Sequence, residues 1–313
     1  MPEWIVSLPD RLDAFLAQSG AVLSRSKAQQ AIEAGRVTVN EQVVTKPAHR
    51  LQEGDAVVLT ETDKAPDRSI EPIDLSLEIL YEDAACAVIN KPAGIAVHPG
   101  AGMAPGERTI LHGAAFLSAD WKPALFSADH ILVHRLDKDT TGCLLIAKTP
   151  AAHIALQKQF ETRAVDKRYQ TIVAGVPSPA SAVIDAPIGR SHADRTMMAV
   201  SGSGDARDSR TTYRTLGVSA AGNAALLECE LHTGRTHQVR VHLASIGHPV
   251  LGDGTYGNEL SERLAQEFDI RMLCLHAWKL TFESPVDRIR HAVEAPLPGS
   301  FLNVLDRLGI RAP

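Results

Sequence analysis

One carboxylate in this chain stands among cations in a segment closed by turn residues: His134-Arg135-Leu136-Asp137-Lys138-Asp139-Thr140-Thr141-Gly142. A carboxylate flanked by Arg135 and Lys138 stays ionised and can attack an electrophilic carbon or take a proton, so Asp137 is the candidate nucleophile. The apolar run Cys143-Leu144-Leu145-Ile146-Ala147 predicts a buried strand, a rigid base for the acidic loop. A charged stretch like this also suits a solvated hairpin, so the rest of the chain has to decide.

Three further segments carry reactive side chains. Asn90-Lys91-Pro92-Ala93-Gly94 through His98-Pro99-Gly100 is a strand exit followed by two turn signals. Phe160 to Tyr169 is a basic helix end leading into a strand that begins with an aromatic. Leu231-His232-Thr233-Gly234-Arg235-Thr236-His237-Gln238-Val239-Arg240-Val241-His242 is followed by Gly247 to Asp253. Read as a strand over Thr236–Val241, its alternation puts Thr236, Gln238 and Arg240 on one face and His237, Val239 and Val241 on the other. A fixed guanidinium at Arg240 could meet Asp137, keep it charged and aim it. His232, His237 and His242 are spaced by five, which puts them on one face of neither a strand nor a helix, so a metal site is not expected.

The elements that must position these residues follow from periodicity. Leu12, Phe15 and Leu16 share a helical face, and a second helix is punctuated by Ser24 as N-cap and by Gly35 after its end. Val37 to Val44 alternates on both sides of Asn40-Glu41, predicting a tight hairpin, and Ala56 to Leu59 a last strand of this unit. We place a first domain at 1–60, a polar linker with Pro66 and Pro72 at 61–72, and a larger domain at 73–313. In the larger region, strands are expected at 87–89, 131–133, 143–147, 169–173, 225–231 and 236–241, and helices at 150–160 and 260–268. Strands and helices do not alternate regularly and no glycine-rich phosphate loop follows a strand, which disfavours a doubly wound nucleotide fold. The expected class is α+β: a mixed, largely antiparallel sheet with flanking helices, plus a small N-terminal α+β domain.

With 313 residues the chain can bury a large core, and its net charge of −5 excludes a surface coated in positive charge. Contact with nucleic acid must come from patches. Arg11, Arg25, Lys27, Arg36, Lys46 and Arg50 outnumber the acids among them, and Arg190, Arg195, Arg207, Arg210 and Arg214 lie among Gly and Ser in what reads as a mobile basic loop. The four cysteines form no CxxC pair and read as reduced core residues; no signal segment or membrane-spanning run is evident, so a cytoplasmic protein is expected.

Two resemblances sharpen this reading. Arg11-Leu12-Asp13, the helix beginning Ser24-Arg25-Ser26-Lys27, and Gly35-Arg36-Val37-Thr38-Val39-Asn40 resemble the S4 domain, a small RNA-binding module, which implies that Arg25 and Lys27, with Arg11, face RNA. From Leu77 to Leu297, with His134-Arg135-Leu136-Asp137 and Gly234-Arg235-Thr236-His237-Gln238-Val239-Arg240 as its marks, the chain resembles the RluA family of pseudouridine synthases. An S4 module ahead of it resembles the RluD-like members that act on large-subunit ribosomal RNA. The resemblance implies the pseudouridine synthase fold and a role for each matched position. Asp137 becomes the essential aspartate and Arg135 the arginine that enters the RNA stack where the uridine leaves it. Tyr169 lies against the flipped base, and Arg240 pairs with the nucleophile. Arg235 and His237 stand beside the site or touch RNA. Where the family commonly has serine, Thr141 keeps the hydroxyl.

Pseudouridine formation breaks the N1–C1′ bond of uridine, turns the base and rejoins it through C5. No atom or electron is lost, so the resemblance implies no cofactor: neither nicotinamide, nor metal, nor ATP. The base must be everted, at a cost of a few kcal/mol that an aromatic platform and an inserted arginine offset. Attack at C1′, addition at C6 and proton removal from C2′ are all open to Asp137. The expected partner is RNA, most of all large-subunit rRNA or its assembly intermediate, with no membrane and a monomeric protein. Two other classes are an RNA-binding assembly factor without turnover and a glycosidase using a second acid, for which Asp139 is too near in sequence to face Asp137.

Overall fold

The computed structural model describes residues 3–6, 9–19, 25–60, 71–99, 103, 106–117, 131–191, 193–202 and 206–311. The chain divides into two compact units, 1–68 and 69–313. In the first, β1 (Glu3–Ile5), α1 (Leu12–Gln18), α2 (Arg25–Glu33), β2 (Val37–Val39), β3 (Gln42–Val43) and β4 (Ala56–Leu59) follow in chain order. The antiparallel sheet has the order β1-β4-β2-β3. Leu12, Leu16, Ala28, Ile32, Val37 and Val57 close its core. The β2–β3 turn places Asn40 and Glu41 in the left-handed region, at φ 49° and 67°, the backbone of the expected tight hairpin. Asn40 suits that position because its side chain accepts from Ala56 N–H at 2.9 Å and donates to Asp55 at 2.9 Å. The expected N-cap Ser24 and residues 61–70 of the expected linker lie outside the described residues.

The second unit begins with β5 (Glu78–Glu82), β6 (Cys86–Lys91), α3 (Ile110–Leu117), β7 (Thr141–Ala147), α4 (Pro150–Glu161) and β8 (Asp166–Ala174). It continues through β9 (Ser181–Asp185), β10 (Ile188–Arg190), β11 (Met198–Val200), β12 (Arg210–Val218) and β13 (Ala224–Leu231). It ends with α5 (Gln238–Ser245), α6 (Glu259–Glu267), β14 (Leu275–Glu283), β15 (Arg290–Glu294) and α7 (Gly299–Leu308). One sheet runs β5-β6-β7-β14-β8-β13-β12-β9, with β15 paired to β14. The β7–β14 pair is parallel and the rest are antiparallel, the mixed, largely antiparallel α+β class expected from the sequence.

Central strands are buried on both faces, which is why residues 86–89 of β6 and 143–147 of β7 read as unbroken apolar runs. Leu144 and Ile146 enter one core with Ala87 and Ile89, while Cys143, Leu145 and Ala147 enter the opposite one with Cys86 and Val88. Gly142 makes the parallel contact with β14 possible: its φ is 107°, and a Cβ there would overlap the Ala277 carbonyl.

Three sequence expectations are corrected. Residues 236–241 are not a strand: a loop runs to His237, and α5 begins at Gln238. Every residue from Gln238 to Leu243 is buried, so no exposed face marked a period of two or of 3.6. The expected strand at 131–133 is reduced to an isolated bridge between Leu132 and Ile146. The Arg-rich stretch, expected as a loop, carries regular structure instead: β10 and β11 form a hairpin with Arg190 at its end, and Arg210 and Arg214 lie on β12. Thr211 and Tyr213 turn inward there while the arginines turn out, an alternation that the basic composition obscured.

Candidate active site

The loop before β7 is shaped by a buried ammonium. Lys91, the last residue of β6, is fully buried, and its Nζ donates to the carbonyls of Pro92 (2.8 Å), Lys138 (2.7 Å) and Thr140 (2.9 Å). Three acceptors on three donors satisfy the cation completely and clamp the turn that carries Asp137. Burial brings the Lys91 pKa down to about 8, opposed by the charges of Asp139 and Asp137. His134 fastens the other side of the loop, since its Nε2 accepts from Leu145 N–H at 2.9 Å and its ring stacks on Phe160 at 4.6 Å. Burial and Lys167 push its pKa down to about 3, so His134 is a neutral structural acceptor. Thr141 Oγ1 donates to His276 Nδ1 at 2.7 Å, while His276 Nε2 donates to Ala295 O at 3.2 Å. That fixes the base of the loop on β14.

Arg240 meets Asp137, from a helix. Its Nη1 lies 3.3 Å from Asp137 Oδ2, while Nε and Nη2 grip Asp253 at 2.7 and 2.8 Å. The division is unequal for a chemical reason. Asp253, whose side chain is 0 % exposed, takes the bidentate contact that fixes the guanidinium plane; Asp137, 19 % exposed, takes one longer contact that orients it and leaves lone pairs open to a ligand. Burial alone would raise the Asp253 pKa, but Arg240 and the amides of Thr255 and Tyr256 overcome this and hold the carboxyl below its usual range. Two acids on one guanidinium also keep the Arg240 pKa raised, against burial.

The helical geometry changes His237. On a strand it would face away from Arg240, but three residues apart around a helix start, both side chains reach Asp137. His237 Nε2 is 4.0 Å from Asp137 Oδ1, and Nδ1 is 2.8 Å from the Tyr256 hydroxyl. That hydroxyl also accepts from Met198 N–H at 3.1 Å; when it gives its own proton to Nδ1, the imidazole proton sits on Nε2, toward Asp137. Burial depresses the His237 pKa more than the Asp137 charge raises it, and Arg240 adds to the depression. His237 holds this orientation with φ 56°, a left-handed backbone that a non-glycine residue adopts only when its surroundings fix it.

These groups open on a cavity of about 440 Å³, the size of a small-ligand site, walled by Leu136, Tyr169, Leu231, Val239 and Leu275. Tyr169 and Lys167 line it together because they are two apart on β8. Burial and the Asp137 charge raise the Tyr169 pKa, so its hydroxyl keeps its proton at neutral pH. Arg135 stands exposed at the rim, 3.4 Å from His98 Nε2. Arg235 lines the cavity too, tied by Nε to Asp208 O at 3.3 Å.

The structure thus brings Asp137, Arg135, Tyr169, Arg235, His237 and Arg240 around one space. It also shows Asp253, Tyr256, Lys91 and Lys167 at the site, to which the sequence reading gave no role. Lys167 had a readable signal, its period-two spacing from Tyr169; Asp253 and Tyr256 had none. Arg11, in the first unit, is held by Asp13 through two bonds of 3.0 Å. Arg25 and Lys27 lie on α2, and their side chains are outside the described residues. His232 lines the cavity and is hydrogen-bonded to Thr212, while His242, buried and bonded to Thr211 and Ala186, serves the fold.

A carboxylate aimed by one guanidinium contact, a protonated phenol and apolar side chains in the cavity wall suit a planar group such as a nucleobase. Residues 85–245 match the family model described as RNA pseudouridylate synthase, and residues 10–57 match the S4 domain. The chain belongs to the RNA pseudouridine synthases and carries an N-terminal S4 RNA-binding domain. It is 36 % identical over 306 residues to an uncharacterized RNA pseudouridine synthase of Aquifex aeolicus, covering 97 % of this chain and 95 % of that one. It is 37 % identical over 292 residues to the ribosomal large subunit pseudouridine synthase D of Zymomonas mobilis, covering 92 % and 90 %. Among solved structures, human RNA pseudouridylate synthase domain containing 4 superposes with a TM-score of 0.60 at 30 % identity, covering 75 % of this chain and 94 % of that one. The protein is therefore an enzyme that acts on RNA, isomerising uridine.

Proposed function

We propose that this enzyme converts uridine to pseudouridine in large-subunit ribosomal RNA, with Asp137 as the reacting carboxylate. The observation that carries the reading is the shared guanidinium: Arg240 is fixed by Asp253 and so delivers one nitrogen to Asp137 at the mouth of a nucleoside-sized cavity. The everted base lies against Tyr169, which offers about 1–3 kcal/mol of stacking toward the cost of eversion. Arg135, exposed at the rim, takes the vacated place in the RNA stack. Arg235 and His237 flank the nucleotide. The N1–C1′ bond breaks, the C5–C1′ bond forms, and the proton leaving C5 is balanced by one gained at N1. A carboxylate can begin this at C1′, C6 or C2′.

The preference for large-subunit rRNA is supported by relatives of Zymomonas mobilis, Vibrio cholerae and Pasteurella multocida named ribosomal large subunit pseudouridine synthase D, each 37 % identical. We place the RNA-binding module at 1–60, the linker at 61–72 and the catalytic domain at 73–313, with Arg11, Arg25 and Lys27 presented to RNA. This is supported by the S4 match over 10–57 and by the separate cores of the two units. A monomer working in the cytoplasm accords with that substrate; among the described residues no helix is long and apolar enough to cross a membrane. Comparing rRNA pseudouridine maps from cells with and without this protein tests the reading. Loss of one or more large-subunit positions is expected, and unchanged maps would reject the substrate.

A further inference from the structure

Beside the nucleophile's cavity lies a second one of about 390 Å³, between the β10–β11 hairpin and the loop before α5. Arg190, Arg207 and Arg235 line it. Most other arginines with defined partners are neutralised by acids: Arg11 by Asp13, Arg168 and Arg214 by Glu228, Arg240 by two aspartates, and Arg288 and Arg290 by Glu283 and Asp166. Among the described residues, these three have no carboxylate within 4.0 Å. Arg190 Nη1 donates to Arg195 O at 3.0 Å and Arg235 Nε to Asp208 O at 3.3 Å. Backbone carbonyls orient these two without cancelling their charge.

Three cations at one concavity, without a carboxylate partner among the described residues, make a local positive patch in a chain of net charge −5 and offer a place to an anion. Guanidinium groups, with their planar pairs of donors, suit the oxygens of a phosphodiester. Gly234, Arg235 and Thr236 line both cavities, so the two adjoin and a strand with one nucleotide in the first can continue over the second. We propose that the second cavity is a phosphate seat for the substrate strand: Arg190 and Arg207 hold a phosphodiester group next to the everted nucleotide, and Arg235 bridges the two cavities. This rests on the reading that RNA feeds the first cavity. The seat acts in binding and register rather than in chemistry, because Arg190 and Arg207 stand on the hairpin and on the segment before β12 and neither lines the cavity that Asp137 lines.

The test is Arg190→Ala and Arg207→Ala, singly and together, in the full chain, with transcribed large-subunit rRNA. Both side chains are exposed, so folding should be unaffected, which circular dichroism checks. Each substitution is expected to raise KM and the Kd for RNA about tenfold with kcat within about twofold. Each should also flatten the dependence of log Kd on log salt by about 0.7 per lost phosphate contact. Arg207→Lys should recover the slope better than the affinity. Unchanged Kd and salt slope in the double variant, with turnover intact, would overturn the phosphate seat and leave the Asp137 reading standing. A flattened slope without any turnover by the unmodified enzyme would support the seat and reject that reading. No RNA binding by the unmodified enzyme would overturn both.

Discussion

At the scale of single residues, the site is organised around how charge is shared. Asp253 absorbs the strong half of Arg240 so that Asp137 can be aimed by the weak half, and Lys91 spends its whole ammonium on the loop backbone. Lys167 is different: it donates one bond, to Thr233 O at 3.2 Å, and lines the cavity. Burial, Arg163 and Arg235 bring its pKa down to about 8. A lysine whose pKa falls on folding binds fewer protons folded than unfolded between about pH 8 and its ordinary value, so its burial penalty is full below pH 8 and fades as pH rises. RNA binding has the opposite slope, since a phosphate needs the ammonium. Affinity for RNA is therefore predicted to fall as pH rises through about 8, and Lys167→Gln to lower affinity about tenfold at pH 7 and to flatten that decline; titrations by fluorescence anisotropy across pH 6.5–9.5 measure both. Asp137, Arg240 and Tyr169 were legible in the sequence because their motifs are local. Asp253 was not, because what marks it is a contact with a helix 13 residues away.

At the scale of elements, two supports determine the site: the strand exits that carry Lys91 and Asp137, and the turn into α5. The apolar stretches of β6, β7, β8 and β13 were readable, because the part of a strand that is covered on both faces is apolar there. Residues 236–241 were misread as a strand for the same reason, since the helix is buried all round from Gln238 to Leu243 and has no polar face there to show its period. That misreading had placed His237 and Arg240 on opposite faces. The helix puts them together, and the Tyr256 hydroxyl joins them to the β10–β11 hairpin through Met198 N–H. Tyr256→Phe keeps the ring that packs 5.0 Å from the Arg240 guanidinium and removes both hydrogen bonds. We expect kcat to fall about tenfold, because the His237 tautomer is no longer fixed, with a stability loss of about 1 kcal/mol. Single-turnover rates and thermal melts separate the two effects.

At the scale of the whole molecule, the candidate site and the S4 match fall in different units. Every group that meets Asp137 lies in the unit 69–313, while the S4 match lies in 1–68, which closes a core of its own. A chain starting at Ser69 is therefore expected to fold and to keep kcat within about threefold, while KM for rRNA rises by tenfold or more. Steady-state kinetics on transcribed rRNA measures this, and a lost kcat with unchanged KM would reject the division. The two-unit plan and α+β class could be read from the polar stretch after Thr60 and from the absence of regular strand–helix alternation. The order of the large sheet could not, because it depends on the parallel β7–β14 pairing across more than a hundred residues.

The most direct measurement is single-turnover isomerisation of uridine in transcribed large-subunit rRNA by Asp137→Asn. The side chain stays nearly isosteric and hydrogen-bonded while losing its charge. Pseudouridine formation is predicted to drop at least about 10⁴-fold with RNA affinity within about threefold of the unmodified enzyme. A rate within tenfold of the unmodified enzyme would contradict Asp137 as the reacting group.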